Sequence, residues 1–237
     1  MLKIKNLTDR GEIYIYGVII DDTDASWLVR EEDGTIGYQY PTDIKNQLDA
    51  LKGKPVDVHL ASDGGDVAAG LAIFTMLANH DAPVTAYIDS WAASIASVIA
   101  FSANNGIIMP DNTFLMLHNP KGGVVFGESD YLRAIADWLD KLRQTIAETY
   151  ARRVKGSKGE VTEENLTKIK AMMDAETWLT AKEASELFDN VELRPSNEVK
   201  AVAQYRSEFK NAPEALKDDR DQKVKNILKV LEEAYAK

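Results

Sequence analysis

The chain has 237 residues, 45% of them apolar, enough for one large core or a core with an appendage. It carries 28 Lys and Arg against 38 Asp and Glu, a net charge of -10, which argues against nucleic acid as the main partner because phosphate binding draws on clustered cations. Cysteine is absent, so no disulfide is possible, and that fits a reducing, cytoplasmic setting. The first residues, MLKIKNLTDRGEIYIYG, are punctuated by charges and do not form a secretory leader. The longest apolar stretch, 91–103, is too short to span a bilayer, so no membrane partner is expected.

In chain order, EIYIYGVII (12–20) is rich in β-branched and aromatic residues and predicts a strand. Residues 21–40 are polar and turn-rich, a loop with room for a short hairpin. Pro41-Thr42-Asp43 opens an amphipathic helix with Ile44, Leu48 and Leu51 on one face, ended by Gly53 and Pro55. VDVHLAS (56–62) is the next strand; DGGDVAAG turns into a helix over LAIFTMLANH. PVTAYIDS (83–90) predicts a strand, SWAASIASVIA a buried helix capped by Ser90, and 106–120 a strand-and-turn region. This alternation implies a parallel sheet with crossover helices. A long helix is expected from 129 to 154, with Leu132, Ile135, Leu139, Leu142 and Ile146 at helical spacing. The basic stretch ARRVKGSKG (151–159) reads as a solvated loop after it. Shorter helices follow at 162–172 and 180–188, the second capped by Thr180. From Pro195 the chain is charged, and a last helix over 215–236 carries a narrow stripe of Val224, Ile227, Leu228 and Leu231 that must pack on the body or on another chain.

Three features carry chemistry. Gly64-Gly65 after a strand gives backbone that can approach a ligand closely, although such turns often use glycine only for its dihedral angles; the turn is neither a phosphate loop nor a dinucleotide fingerprint. Ser94 stands at the start of a helix, where unpaired N–H groups and the dipole favour developing negative charge. Its neighbours Ala92, Ala93 and Ala96 leave room for a substrate chain. Ser97, one turn on, is expected to bond a carbonyl. Of three histidines, His59 lies mid-strand as structure, His80 ends a helix, and His118 closes an apolar strand at the edge of the sheet where ligands bind.

SDGGDVAAGLAIFTML, DSWAASIASVIAFSANNGIIMPDNTFLMLHNP and AETWLTAKEASELFD resemble, in order and spacing, the signature blocks of the Clp protease proteolytic-subunit family. The resemblance is to its phage and prophage branch of head-maturation proteases and covers residues 12 to 193. It implies an α/β, ClpP/crotonase-like fold with a mostly parallel sheet and a long handle helix, a peptidase domain over 1–193, and a charged helical extension over 194–237. By position it implies Ser94 as nucleophile, His118 as base, and the backbone N–H groups of Gly65 and Ile95 as oxyanion hole. The acid falls at Glu176, with Asp174 the alternative. Asp63 replaces the usual proline, a change expected to matter little because only the backbone after it is used. The implied activity is serine endopeptidase cleavage of protein or peptide substrates, without metal or cofactor. The chain would work as a homo-oligomer, by resemblance a heptameric ring, one or two rings deep. A capsid or scaffold protein is a candidate partner; the AAA+ unfoldase of housekeeping members is one the phage branch need not have. The rival readings are a non-catalytic ring-forming assembly protein and a crotonase-like acyl-CoA enzyme, which would need no Ser–His pair.

Overall fold

Alternating side chains build the sheet. Strand β2 (Gly11–Ile19) buries Ile13 and Ile15 and leaves Glu12, Tyr14 and Tyr16 half-buried. The same alternation recurs in β4 (Val56–Gly65) and β5 (Val84–Ala93), whose first halves bury Val58 and Leu60, and Ala86 and Ile88. These observations come from a computed structural model that describes residues 4–28, 37–122 and 126–196. All of them fall in one compact unit, Met1–Gln204. The helix expected at 215–236 lies outside the described residues.

Strands β2, β4, β5, β6 (Ile107–Pro110) and β9 (Val191–Arg194) pair in parallel, in that order. Strand β1 (Ile4–Asn6) adds antiparallel to β2. The sheet branches at β5: Ala86 and Tyr87 pair with β6, whereas Trp91–Ala93 pair with β7 (Phe114–Leu117). Strand β7 pairs antiparallel with β8 (Thr177–Thr180). The branch carries the end of β5 and the end of β7 to one place.

Helix α2 (Pro41–Ala50) buries Ile44 and Leu48 as the spacing predicts, and Leu51 follows them into the core. Helix α3 (Val67–Ala78) starts at Asp66, whose carboxylate accepts the Ala69 N–H at 2.7 Å. Helix α4 (Ile95–Ala100) is wholly buried. Helix α5 (Ser129–Ala151) buries Ile146, Ala147, Tyr150 and Ala151 at its C-terminal end. Its N-terminal half exposes Tyr131, Leu132 and Trp138. Thr162 caps α6 (Glu163–Asp174), and a Thr180–Glu183 capping box opens α7 (Ala181–Leu187). The basic 151–159 stretch is more ordered than a solvated loop: Val154 bridges Phe188, and Ser157 is buried with its hydroxyl on the Arg152 carbonyl.

Two further expectations need correction. Residues Asp22–Leu28 form a helix, α1, and β3 (Tyr38–Gln39) runs parallel to β2. The 21–40 loop therefore shows no hairpin in its described part; residues 29–36 lie outside the described residues. Ser90 is not a helix cap. It sits inside β5, which runs three residues further because Trp91, Ala92 and Ala93 find partners on β7. The cap position belongs to Ser94.

Candidate active site

The site lies where β5 and β7 end beside the turn that closes β4. Ser94 follows β5 directly with φ 56° and ψ −132°, a conformation that a residue with a side chain rarely holds. Its N–H donates to Met116 O on β7 at 3.1 Å, fixing the sharp strand-to-helix corner. Although at the cap position, its hydroxyl makes no cap bond and instead lies 2.6 Å from His118 Nε2. Ser97, as expected, donates to carbonyls, reaching Ser94 O (2.6 Å) and Met116 O (2.9 Å), and also meets the Tyr150 hydroxyl (2.8 Å).

Gly64 and Gly65 have φ of 95° and 148°. A Cβ on Gly64 would come within 2.7 Å of Ser94 Cβ and 3.2 Å of the Ile95 nitrogen, and one on Gly65 within 1.9 Å of Ile19 O. The turn is therefore pressed against Ser94, and only glycine fits. Ile95 is the first residue of α4, so its N–H has no acceptor within the helix. The two backbone segments named from the sequence thus meet beside Ser94.

His118 follows β7 and is partly buried. Its pKa is lowered to about 4, chiefly by burial and then by the Lys121 ammonium, with the Glu176 charge opposing both. The ring is thus neutral at neutral pH. Glu176 is 8% exposed and sits at φ 50°, and its Oε2 is 3.7 Å from Lys121 Nζ. Asp174 is more exposed and faces elsewhere: its Oδ1 accepts from Arg143 (2.6 Å) and Asn119 (2.8 Å), and Asn119 Oδ1 accepts from Arg143 Nε (3.0 Å). Of the two candidate acids, Glu176 is the one whose charge reaches His118. Lys121 escaped sequence reasoning because one lysine in a polar loop carries no spacing signal. Among the described residues, no group of three or more His, Cys, Asp or Glu is placed to hold a metal ion.

The other histidines are structural. His59 stacks between Tyr14 and Tyr87, at 4.8 and 5.1 Å, with Nδ1 2.9 Å from Asp89. His80 Nε2–H donates to Lys54 O at 2.9 Å. Among the described residues, no helix is long and apolar enough to cross a membrane.

The family model described as Clp protease matches residues 34–191, which spans Ser94, His118 and Glu176. The chain belongs to the Clp protease family. It is 32% identical over 143 residues to the ATP-dependent Clp protease proteolytic subunit 1 of Protochlamydia amoebophila, covering 59% of this chain and 66% of that protein. To the subunit of the same name in Chlamydia abortus it is 28% identical over 168 residues, covering 65% and 83%. Among solved structures it is similar to the ClpP1 N165D mutant from Listeria monocytogenes, with a TM-score of 0.60 and 22% identity over 78% of this chain and 92% of that one. That likeness establishes the α/β Clp protease fold, with its mostly parallel sheet and flanking helices.

Proposed function

We propose that this Clp protease family member is a serine endopeptidase that uses Ser94 as nucleophile, His118 as general base and Glu176 as the acid that orients the imidazole. The observation that carries the reading is the 2.6 Å approach of Ser94 Oγ to His118 Nε2 at a strained strand-to-helix corner. In this mechanism the neutral ring, protonated on Nδ1, accepts the Ser94 proton at Nε2 as Oγ attacks a peptide carbonyl. The Glu176 carboxylate holds that tautomer and stabilises the imidazolium. The N–H groups of Gly65 and Ile95 receive the tetrahedral oxyanion, each such donor contributing about 3 kcal/mol. The imidazolium then protonates the leaving amine. Water enters, His118 takes its proton, and the acyl-Ser94 ester is hydrolysed.

The natural task we assign is processing of a protein substrate in the manner of phage and prophage head-maturation members, within a homo-oligomeric, heptameric ring. The motif blocks support the first part. The exposed apolar side chains Tyr131, Leu132 and Trp138 on α5 support self-association. Incubation with an unfolded protein such as casein tests the activity. The expected result is digestion by wild type and none by Ser94→Ala; equal digestion by both would refute the assignment.

A further inference from the structure

Asp63 carries no weight in the sequence, yet it is buried. It is 8% exposed, Trp91 is 7% exposed, and the indole Nε1–H donates to Asp63 Oδ1 at 2.6 Å. The bond spans a weak place in the sheet. Strands β4 and β5 pair residue by residue from Val56↔Val84 to Leu60↔Ile88, and the next pair is Ser62↔Ala92. There β4 advances two residues while β5 advances four, so the ladder is disrupted just before one strand reaches Gly64 and the other Ser94. On its other side the turn is tied to β2: Ser62 Oγ donates to Gly17 O (2.6 Å) and accepts the Gly64 N–H (3.0 Å), and Gly65 pairs with Ile19. The bond to Gly17 and the Gly65–Ile19 pairing anchor the turn on β2, on the side opposite the strand of Ser94. The Asp63–Trp91 bond holds it toward that strand, and Trp91 is in turn locked to Phe114 on the strand that leads to His118.

We propose that Asp63 and Trp91 are positioning residues whose hydrogen bond sets the spacing between the Gly65 and Ile95 N–H groups, and so the fit of the site to a tetrahedral oxyanion. The inference rests on the serine-peptidase reading above. A carboxylate acceptor makes the bond charge-assisted, roughly twice as strong as a neutral one, and a proline at this position would offer no acceptor at all. Misplacement of such donors acts on the transition state more than on the bound substrate.

The test compares full-length Asp63→Ala, Asp63→Asn, Trp91→Phe and the Asp63→Ala/Trp91→Phe double variant. It uses a fluorogenic peptide cleaved by wild type and a peptide boronate of the same sequence, whose boron bonds Ser94 Oγ and leaves a tetrahedral anion in the site. Asp63→Ala and Trp91→Phe are each expected to lower kcat roughly 10- to 100-fold with KM little changed, and to weaken boronate binding by the same factor. The double variant should be no worse than either single one, since both remove one bond. Asp63→Asn, which keeps a neutral acceptor, should fall between Asp63→Ala and wild type. If Trp91→Phe does not fold, the order of the two Asp63 variants decides. Losses that multiply in the double variant, or a kcat loss without loss of boronate affinity, would overturn the inference, as would unimpaired single variants. An active wild type with unimpaired variants removes this inference alone. A wild type that neither cleaves peptide nor takes the boronate removes the serine-peptidase reading with it.

Discussion

Ser94 and Glu176 share an uncommon feature: both hold positive φ, 56° and 50°, although neither is glycine. Each such residue stores on the order of 1–3 kcal/mol, and surrounding structure must enforce it. Ser94→Gly should therefore be more stable than Ser94→Ala, by about 1 kcal/mol, with both inactive; thermal melts of the two variants check this. His118 gives a pH test. Burial and Lys121 lower its pKa to about 4 from the ordinary 6.5. The acid limb of kcat/KM should accordingly lie well below pH 6.5, and Lys121→Gln, by removing a repelling charge, should move it upward. The same shift bears on stability. Between pH 6.5 and 4 the unfolded chain binds a proton that the folded site refuses, so stability falls through that window on acidification and is retained above it. The acid assignment is tested by a pair of variants. Glu176→Gln should lower kcat on the order of 10²- to 10⁴-fold, whereas Asp174→Asn, altering a carboxylate held by Arg143 and Asn119, should cost less than about tenfold.

At the scale of elements, what the sequence made legible was what local chemistry decides. Pro41 and the Ile44, Leu48, Leu51 spacing placed α2, and Thr180 as cap placed α7. Elements decided by distant partners were not legible. Residues 91–93, Trp-Ala-Ala, read as helix because they lead without a break into the apolar run that follows, yet they extend β5 because β7 lies alongside. Strand β8 is four residues long and exists through its pairing with β7. Of the candidate site, Ser94, His118 and the Gly64-Gly65 turn were singled out by their places at strand ends and by the resemblance of the motif blocks, and the structure places them side by side. The contact of that turn with Ser94, and the partners of Asp174, could not be read from the sequence. Helix α4 is joined to α5 by the buried Ser97–Tyr150 contact, which also steadies the corner at Ser94 through its carbonyl. Ser97→Ala leaves the Tyr150 hydroxyl without that partner and should cost about 1–3 kcal/mol in denaturant unfolding, at an unchanged m-value.

For the whole molecule, branching of the sheet at β5 is what brings Ser94, His118 and Glu176 together from three separate segments. The exposed Tyr131, Leu132 and Trp138 on α5 lie apart from that core contact. If they serve self-association, Trp138→Glu should shift sedimentation velocity toward smaller species while the far-ultraviolet circular dichroism stays that of wild type. The central claim, an activated Ser94, is tested most directly by a fluorophosphonate probe read by intact mass on wild type, Ser94→Ala and His118→Ala. A single adduct is expected on wild type and none on either variant. An unmodified wild type at concentrations that favour assembly, or an adduct that persists in Ser94→Ala, would contradict the claim.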